Sequence, residues 1–253
     1  MSGGKPIMVE NSITFEKLSW AAFLSRIFGS TGPDAYLSIY ADSRFRESLV
    51  FDPANVSPKE VCDKLIGGFL NRWRSRFPNR QESASAVLAA IQQVSPFIQA
   101  TKDLRIENVN FDALICVNGN YISVFDAIEL IFNKIANCYG NRTTAGAKIL
   151  GVLNPNLFVM WDDSIALHYV SGRPSVFSGQ GYVYFLREMQ NAAHLCQNDF
   201  NEKIGHQDMA LYLSNKLGLH LPLPLAKYLD EYNWITISQG IYLPPKWHPG
   251  LPL

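Results

Sequence analysis

The chain has 253 residues, of which 47% are hydrophobic and 17% are charged, and its 22 basic and 22 acidic side chains cancel at pH 7. This length and composition suffice for a well-buried core and exclude disorder as the dominant state. A net charge of zero removes overall positive charge as evidence for nucleic-acid binding, so such binding needs a local patch.

Membrane and secretion signals are not expected from the apolar pattern. No segment has the roughly 18 continuous apolar residues that a membrane span needs, and the segment 1–10 lacks the apolar core of a signal peptide. Four cysteines, Cys62, Cys116, Cys138 and Cys196, are scattered without a CxxC pair. We therefore expect a reduced, cytoplasmic protein with no membrane partner.

The predicted elements are mostly helices, identified from apolar spacing and capping residues. In chain order the helices are expected over 14–28, 57–77, 82–94, 123–139, 143–152, 162–169, 180–195, 207–217 and 225–232. Two strand pairs are expected, one over 114–117 and 121–122 around an Asn-Gly turn, the other over 234–237 and 241–243. The proline-rich tail 244–253 is expected to be irregular. We expect a mainly α fold with at most a few short strands, and 1–253 as one compact unit.

One segment, 144–165, carries more chemical information than the rest of the chain. It places Lys148 inside an apolar helix start, where loss of water would lower the pKa of the amine and make it a usable nucleophile. Asp162 precedes a helix, whose dipole and free N–H groups favour an ionised carboxylate, with Asp163 as its substitute. A turn and an apolar run can bring amine and carboxylate together. A structural salt bridge between them is the alternative interpretation.

These residues resemble a motif of the helix-hairpin-helix DNA glycosylase superfamily. Gly146-Ala147-Lys148 is similar to the family's Gly-x-Lys, and Asp162 with Ile165 is similar to its Asp-x-x-Val. The likeness covers about 123–169. Of the family's Leu-Pro-Gly-x-Gly hairpin only the last glycine, Gly146, is present.

The resemblance implies a DNA glycosylase that flips a modified base out of the duplex and breaks its N-glycosidic bond, leaving an abasic site. Asp162 would stabilise positive charge on the sugar, and Lys148 would attack the anomeric carbon to form an imine, which permits strand cleavage. The implied fold has two lobes, 1–120 plus 200–253 and 121–199, the latter holding the Lys/Asp site. Some members remove glucosylated hydroxymethylcytosine from bacteriophage DNA, so defence against phage is a narrower expectation.

Two other functions stay open at this stage. A nucleoside or nucleotide N-glycosidase of the queuosine-salvage type has the same architecture and needs no positively charged DNA surface. A non-catalytic helical binding module would use the lysine and the aspartate as a buried pair. We expect no cofactor and no obligate protein partner, and no metal, because the histidines lack a ligand spacing such as HExxH.

A second informative segment, 71–80, holds four arginines interleaved with two aromatic residues. Guanidinium groups form paired hydrogen bonds with phosphate, and aromatic rings stack on bases, so this segment is a candidate DNA-binding surface. A solvated helix end is the alternative. The predicted DNA-contacting residues are Arg72, Arg74, Arg76, Arg80, Arg142 and Gly146. The predicted walls of the base pocket are Trp161, Tyr182, Tyr184 and Phe185, for which a place in the core is the alternative.

Overall fold

The computed structural model describes residues 13–28, 32–173 and 175–243, and this part of the chain is predominantly helical. The helices are α1 (Phe15–Phe28), α2 (Gly32–Ala41), α3 (Ser43–Phe51), α4 (Pro58–Glu60, continued by a wider helix, Val61–Leu70), α5 (Gln81–Thr101), α6 (Val124–Ala136), α7 (Thr143–Leu153), α8 (Asp163–Val170), α9 (Gly179–Lys203), α10 (Met209–Lys216) and α11 (Leu225–Asn233). The expectations for 1–10 and 244–253 fall outside the described residues.

Capping residues set the starts of two helices as predicted. The Ser57 hydroxyl accepts a hydrogen bond from the Glu60 N–H (3.2 Å), and the Glu60 carboxylate accepts one from the Ser57 N–H (3.3 Å). This reciprocal pair satisfies two N–H groups that a helix start leaves without partners. Ser123 caps α6 through its hydroxyl alone, which accepts from the Asp126 N–H at 3.0 Å. Both helix starts are therefore confirmed.

The helix predicted to reach residue 77 ends at Leu70. Its last part is a π-helix, in which each N–H bonds to the carbonyl five residues back, as the Asn71 N–H does to the Ile66 carbonyl at 2.9 Å. Arg74 and Arg76 then have φ angles of 56° and 48°, which a right-handed helix does not contain. The interpretation of this segment as a helix end is wrong, and we call 71–80 the arginine loop.

The first predicted strand pair is confirmed and the second is wrong. Strands β1 (Leu114–Val117) and β2 (Asn120–Ser123) pair antiparallel. Asn118 and Gly119 both have positive φ, which the tight two-residue turn requires. The segment Trp234–Ser238 instead continues α11 as a π-helical turn. Its backbone groups bond within this turn, as the Gln239 N–H does to the Trp234 carbonyl at 2.9 Å, so the segment forms no strand pair.

Two helices, α2 and α3, were not predicted. The start of α3 is set by Asp42, whose carboxylate accepts from the Phe45 N–H at 3.0 Å. Phe45 and Leu49, one helical turn apart, are buried. Helices this short have a weak apolar periodicity in the sequence, since the pattern repeats over only two or three turns.

One continuous core of buried apolar side chains runs through these elements. α6 packs against α5, α7 and α9, while α8 packs against α9 and the turn Trp234–Ser238. These contacts place the starts of α7 and α8 next to each other, beside the arginine loop that follows α4. In the described part of the chain, no helix has the length and apolar character to cross a membrane.

Candidate functional site

A cavity of about 600 Å³ opens where the arginine loop meets the starts of α7 and α8. Its lining carries charges of both signs together with hydroxyl groups. The charged lining residues are Arg74, Arg76, Arg142, Asp162 and Asp163. The structure thus brings together both predicted carboxylates and three of the predicted arginines, while Arg72 and Arg80 are exposed outside this lining.

Asp162 caps α8, as predicted, and both of its carboxylate oxygens are held. One oxygen accepts from the Ile165 N–H at 3.0 Å, and the other accepts from the Ser238 hydroxyl at 2.6 Å. The residue is half-buried at the cavity wall. Asp162 is therefore a carboxylate held in one position beside the cavity.

Asp163 lies in the same wall but is more exposed. One of its oxygens accepts a hydrogen bond from the Thr144 hydroxyl at 3.1 Å. This bond links the start of α7 to the start of α8. Its exposure and single partner leave Asp163 less firmly oriented than Asp162.

Lys148 is buried, and its ammonium points to the arginine loop. The Nζ atom donates to the Trp73 carbonyl at 3.0 Å and to the Ser75 hydroxyl at 3.1 Å. Ser75 lines the cavity and Lys148 does not, so the amine lies one hydrogen bond behind the cavity wall. The expectation of an amine and a carboxylate facing each other across an open concavity is corrected by this placement.

Burial lowers the pKa of Lys148 from 10.5 to about 8. The carboxylates of Asp230 and Asp162 act against this shift, and the ammonium of Lys227 adds to it. The predicted direction is confirmed, and its cause is loss of water around the charge. An amine with this pKa still needs access to a substrate, which the arginine loop blocks.

The arginine loop is clasped by Asn71. The Asn71 amide donates to the Phe77 carbonyl at 2.9 Å and accepts from the Phe77 N–H at 2.8 Å. Arg142 adds a bond from its guanidinium to the Arg76 carbonyl at 3.3 Å. With Lys148 bonded from behind, the loop backbone is tied on several sides while the Arg74 and Arg76 side chains stay exposed.

A buried charge network in α11 was not predicted. Lys227 pairs with Asp230 at 2.5 Å and lies 3.6 Å from Glu231, which also pairs with Arg26 of α1 at 2.6 Å. Lys227, Asp230 and Glu231 are almost fully buried. Burial raises the pKa of Asp230, and Lys227 opposes that shift. Charges three and four residues apart are common on exposed helices, so their spacing does not predict that these three are buried.

This network reaches the arginine loop through an indole ring. The Nζ atoms of Lys227 and Lys148 lie 4.4 Å and 5.2 Å from the centre of the Trp73 ring. Lys227 also lies 4.7 Å from the Tyr36 ring centre. Such cation–π contacts gain strength where water is excluded. Trp73 therefore connects α7, α11 and the arginine loop.

The predicted walls of the base pocket lie elsewhere. Trp161, Tyr182 and Phe185 are fully buried, with ring centres 5.0 Å (Trp161 to Tyr182) and 5.4 Å (Trp161 to Phe185) apart. Tyr184 is half-buried beneath the Arg173 guanidinium, at 4.4 Å. None of the four lines the cavity. Their apolar surface is used in packing, so their assignment as pocket walls is replaced by the core interpretation.

Gly146 serves helix packing and not phosphate contact. A Cβ atom at this position would lie 3.0 Å from the Cα and Cβ atoms of Ala136 in α6. Its N–H donates to the Arg142 carbonyl at 2.8 Å, so this amide is not open to a ligand. Residues 143–145 line the cavity, and as the first turn of α7 they have no carbonyl within the helix to accept from their N–H groups.

Comparisons with protein-family models, with curated proteins and with solved structures found no match for this chain. Among the described residues, all four cysteines are free and no three His, Cys, Asp or Glu side chains are grouped so as to hold a metal ion. Function is therefore inferred from the geometry of the cavity and the chemistry of its residues.

Proposed function

We propose that this protein is a DNA glycosylase that removes a modified base by hydrolysis. The observation that carries the proposal is the fixed carboxylate of Asp162 in a cavity that Arg74, Arg76, Arg142 and the start of α7 also line. One wall offers a negative charge for a cationic sugar. The other offers positive charge and free amides for phosphate.

The negative wall suits cleavage of an N-glycosidic bond. As the bond from C1′ to the base nitrogen breaks, positive charge builds on the sugar, and an ionised carboxylate nearby stabilises it. A water oxygen then bonds to C1′, and the proton that it releases balances the charge on the departing base. Because Asp162 is held by Ile165 and Ser238 before substrate binds, little reorganisation is needed.

The positive wall favours a polynucleotide over a free nucleoside. The exposed guanidinium groups of Arg74 and Arg76, together with the start of α7, offer more anion-binding groups than one phosphate uses. A free nucleoside carries no phosphate and would leave these groups unused, and a free nucleotide would use only some of them. The nucleoside or nucleotide N-glycosidase is therefore the less supported alternative, and cleavage of the free substrate is an outcome of the test.

Lys148 enters the proposal as a positioning residue. Its ammonium supports the loop that carries Arg74 and Arg76, through the Trp73 carbonyl and Ser75. We do not propose an imine at this lysine, so borohydride should trap no covalent complex between the protein and DNA. If borohydride did trap a complex and Lys148→Gln abolished it, Lys148 would be the nucleophile after all.

The test is release of a base from DNA. The protein is incubated with DNAs that carry different modified bases, including glucosylated hydroxymethylcytosine, and with the matching free nucleosides, and abasic sites and free bases are scored. Asp162→Asn keeps a good cap for α8 but removes the charge, so base release should fall at least about a hundredfold with an unchanged melting temperature.

Asp163→Asn is the matched control, since it changes a neighbouring carboxylate that is more exposed and held by one bond. Base release by this variant should stay close to that of the wild type. If base release fell equally in both variants, Asp162 would not be the carboxylate that stabilises the sugar cation. If the protein cleaved only the free nucleosides, the nucleoside and not DNA would be its substrate.

A further inference from the structure

A second cavity, of about 500 Å³, is lined by the start of α10, the segment that leads into α11 and the loop after α5. It shares no lining residue with the cavity of Asp162, and we call it the α10 cavity. Its volume lies in the range of pockets that hold small ligands. Its apolar lining residues are Ala210, Leu211, Leu223, Pro224 and Leu225, and its charged or amide-bearing ones are Arg105, Glu107, Asn156, Gln197 and Asp208.

Buried hydrogen bonds hold the apolar part of this lining in place. The Leu223 N–H donates to the Ser214 hydroxyl at 3.0 Å, and that hydroxyl lies 2.7 Å from the Tyr228 hydroxyl. All three residues are almost fully buried, so the segment before α11 is fixed to α10. Leu211, in contrast, is 44% exposed at the cavity. It offers apolar surface that a ligand would remove from water.

The loop after α5 is held through its backbone. The buried Asn154 amide donates to the Thr101 carbonyl at 2.8 Å, and the Ile106 N–H donates to the Asn156 carbonyl at 2.9 Å. These bonds fix the backbone that carries the polar part of the lining. The side chain of Asn156 is not used by them, and it lines the cavity.

Several polar groups of the α10 cavity have no hydrogen-bond partner in the part of the chain that the structure describes. The Asn156 carboxamide makes no such bond, and Gln197 uses only its side-chain nitrogen, which leaves its carbonyl oxygen free. Asp208 caps α10 with one carboxylate oxygen, at 2.8 Å from the Leu211 nitrogen, and its other oxygen is free. The cavity therefore offers donors and acceptors of hydrogen bonds beside an apolar surface.

We propose that the α10 cavity binds a purine ribonucleoside, of which adenosine is the simplest case. A carboxamide forms paired hydrogen bonds with the amino group and the adjacent ring nitrogen of adenine, and Asn156 and Gln197 present such groups. Leucine and proline side chains can cover the flat apolar face of the base. The free oxygen of Asp208 can accept from a ribose hydroxyl, as carboxylates do in nucleotide-binding proteins. This inference does not depend on the proposed function.

The charges of the lining favour a nucleoside over a nucleotide. Arg105 is the single cation among the described lining residues, and it lies 3.8 Å from the Glu107 carboxylate. Asp208 adds a second negative charge. A phosphate group would bring further negative charge to a lining that is already negative in sum, whereas an uncharged nucleoside meets no such repulsion.

The test is calorimetric titration of the full chain with adenosine, 2′-deoxyadenosine, adenosine 5′-monophosphate and cytidine. The wild type should bind adenosine most tightly of the four. Asn156→Leu keeps the approximate size of the side chain but removes its hydrogen bonds, and it should lose about tenfold in affinity for adenosine. Leu211→Glu changes an exposed residue, so this variant should fold, and it should also bind adenosine more weakly.

Asn215→Leu is the matched control, since Asn215 is exposed on α10 and does not line the cavity. Asp162→Asn tests the other cavity. Both variants should bind adenosine as the wild type does. Melting temperatures check that all four variants fold.

Failure of the inference and failure of the proposed function give different results. If no nucleoside binds at millimolar concentration, or if the monophosphate binds more tightly than adenosine, the inference is overturned. If adenosine binding survives Asn156→Leu and Leu211→Glu but is lost in Asp162→Asn, the nucleoside occupies the cavity of Asp162, which overturns the inference and supports a nucleoside N-glycosidase. If the wild type binds adenosine in the expected way but releases no base from any DNA, the α10 site stands and the glycosylase does not.

Discussion

Lys148 is the residue at which prediction and structure agree on chemistry and differ on geometry. Its burial and its lowered pKa follow from an apolar helix, which the local sequence contains. Its partners, Trp73 and Ser75, come from a loop 75 and 73 residues earlier in the chain. No local spacing encodes such a contact, because it depends on how α4 and α7 pack. Prediction from sequence therefore found the amine and missed what it binds.

The pKa of Lys148 predicts how stability changes with pH. The folded value is about 8 and the ordinary value is 10.5, so between them the unfolded chain binds more protons at this residue than the folded chain. Unfolding free energy then rises with pH across this window, by about 3 kcal/mol in full. Lys148→Gln, which keeps a donor but does not titrate, should lack this rise.

The measurement is urea unfolding of both proteins at intervals from pH 7 to pH 10. Tyrosines and cysteines also titrate there, but they are common to both proteins and cancel in the difference. The gap between the two free-energy curves should change with pH only above about 8. Parallel curves would mean that Lys148 titrates normally in the folded protein.

At the scale of elements, helix starts were predicted better than helix ends. Ser57, Ser123 and Asp162 each bond to an N–H within three residues, so a few letters of sequence contain the whole interaction. The end of α4 depends instead on a π-helix and on the positive φ angles of Arg74 and Arg76. A π-helix has no recognisable sequence pattern, and arginine does not indicate a positive φ angle. The loop could not be predicted for that reason.

The packing of α6 on α7 gives a prediction at this scale. Gly146→Ala would place a Cβ atom 3.0 Å from backbone and side-chain atoms of Ala136, so the helices must separate. We expect a loss of about 1–3 kcal/mol in unfolding free energy, measured by urea denaturation.

Gly151→Ala, in the same helix, is the matched control. Its Cβ atom would meet the Met160 side chain, at 2.8 Å from Cγ, and methionine adapts easily. Both substitutions gain the same helix propensity. The Gly146 variant should therefore be the less stable of the two, and the reverse order would show that α6 and α7 do not pack closely at this position.

For the whole molecule, the distribution of charge matters more than its sum. The chain is neutral, yet Arg74, Arg76 and Arg142 lie in one cavity lining. Sequence could locate the arginine-rich segment but not its neighbours, because Arg142 and Asp162 reach it only through the packing of α7 and α8. Of the predicted residues, Arg74, Arg76, Arg142, Asp162 and Asp163 line the cavity, whereas the predicted pocket walls do not.

This distribution predicts the salt dependence of DNA binding. Each phosphate contact adds about 0.9 to the slope of log affinity against log salt concentration. Arg74→Ala should flatten the slope by about that amount, whereas Arg80→Ala, an exposed arginine of the same loop outside the cavity lining, should not. Affinity for a short duplex is measured at several salt concentrations. Equal slopes for the wild type and Arg74→Ala would remove Arg74 from the interface.

The two sides of the arginine loop differ in how well they tolerate changes in sequence. Its inner side is bonded to Lys148 and clasped by Asn71, so an insertion or deletion there would break several bonds at once. Its outer side chains, Arg74 and Arg76, are exposed and make no contribution to the core. Substitutions on that outer side can alter what the cavity binds while the bonds of the inner side persist, so these two positions are the ones most open to change.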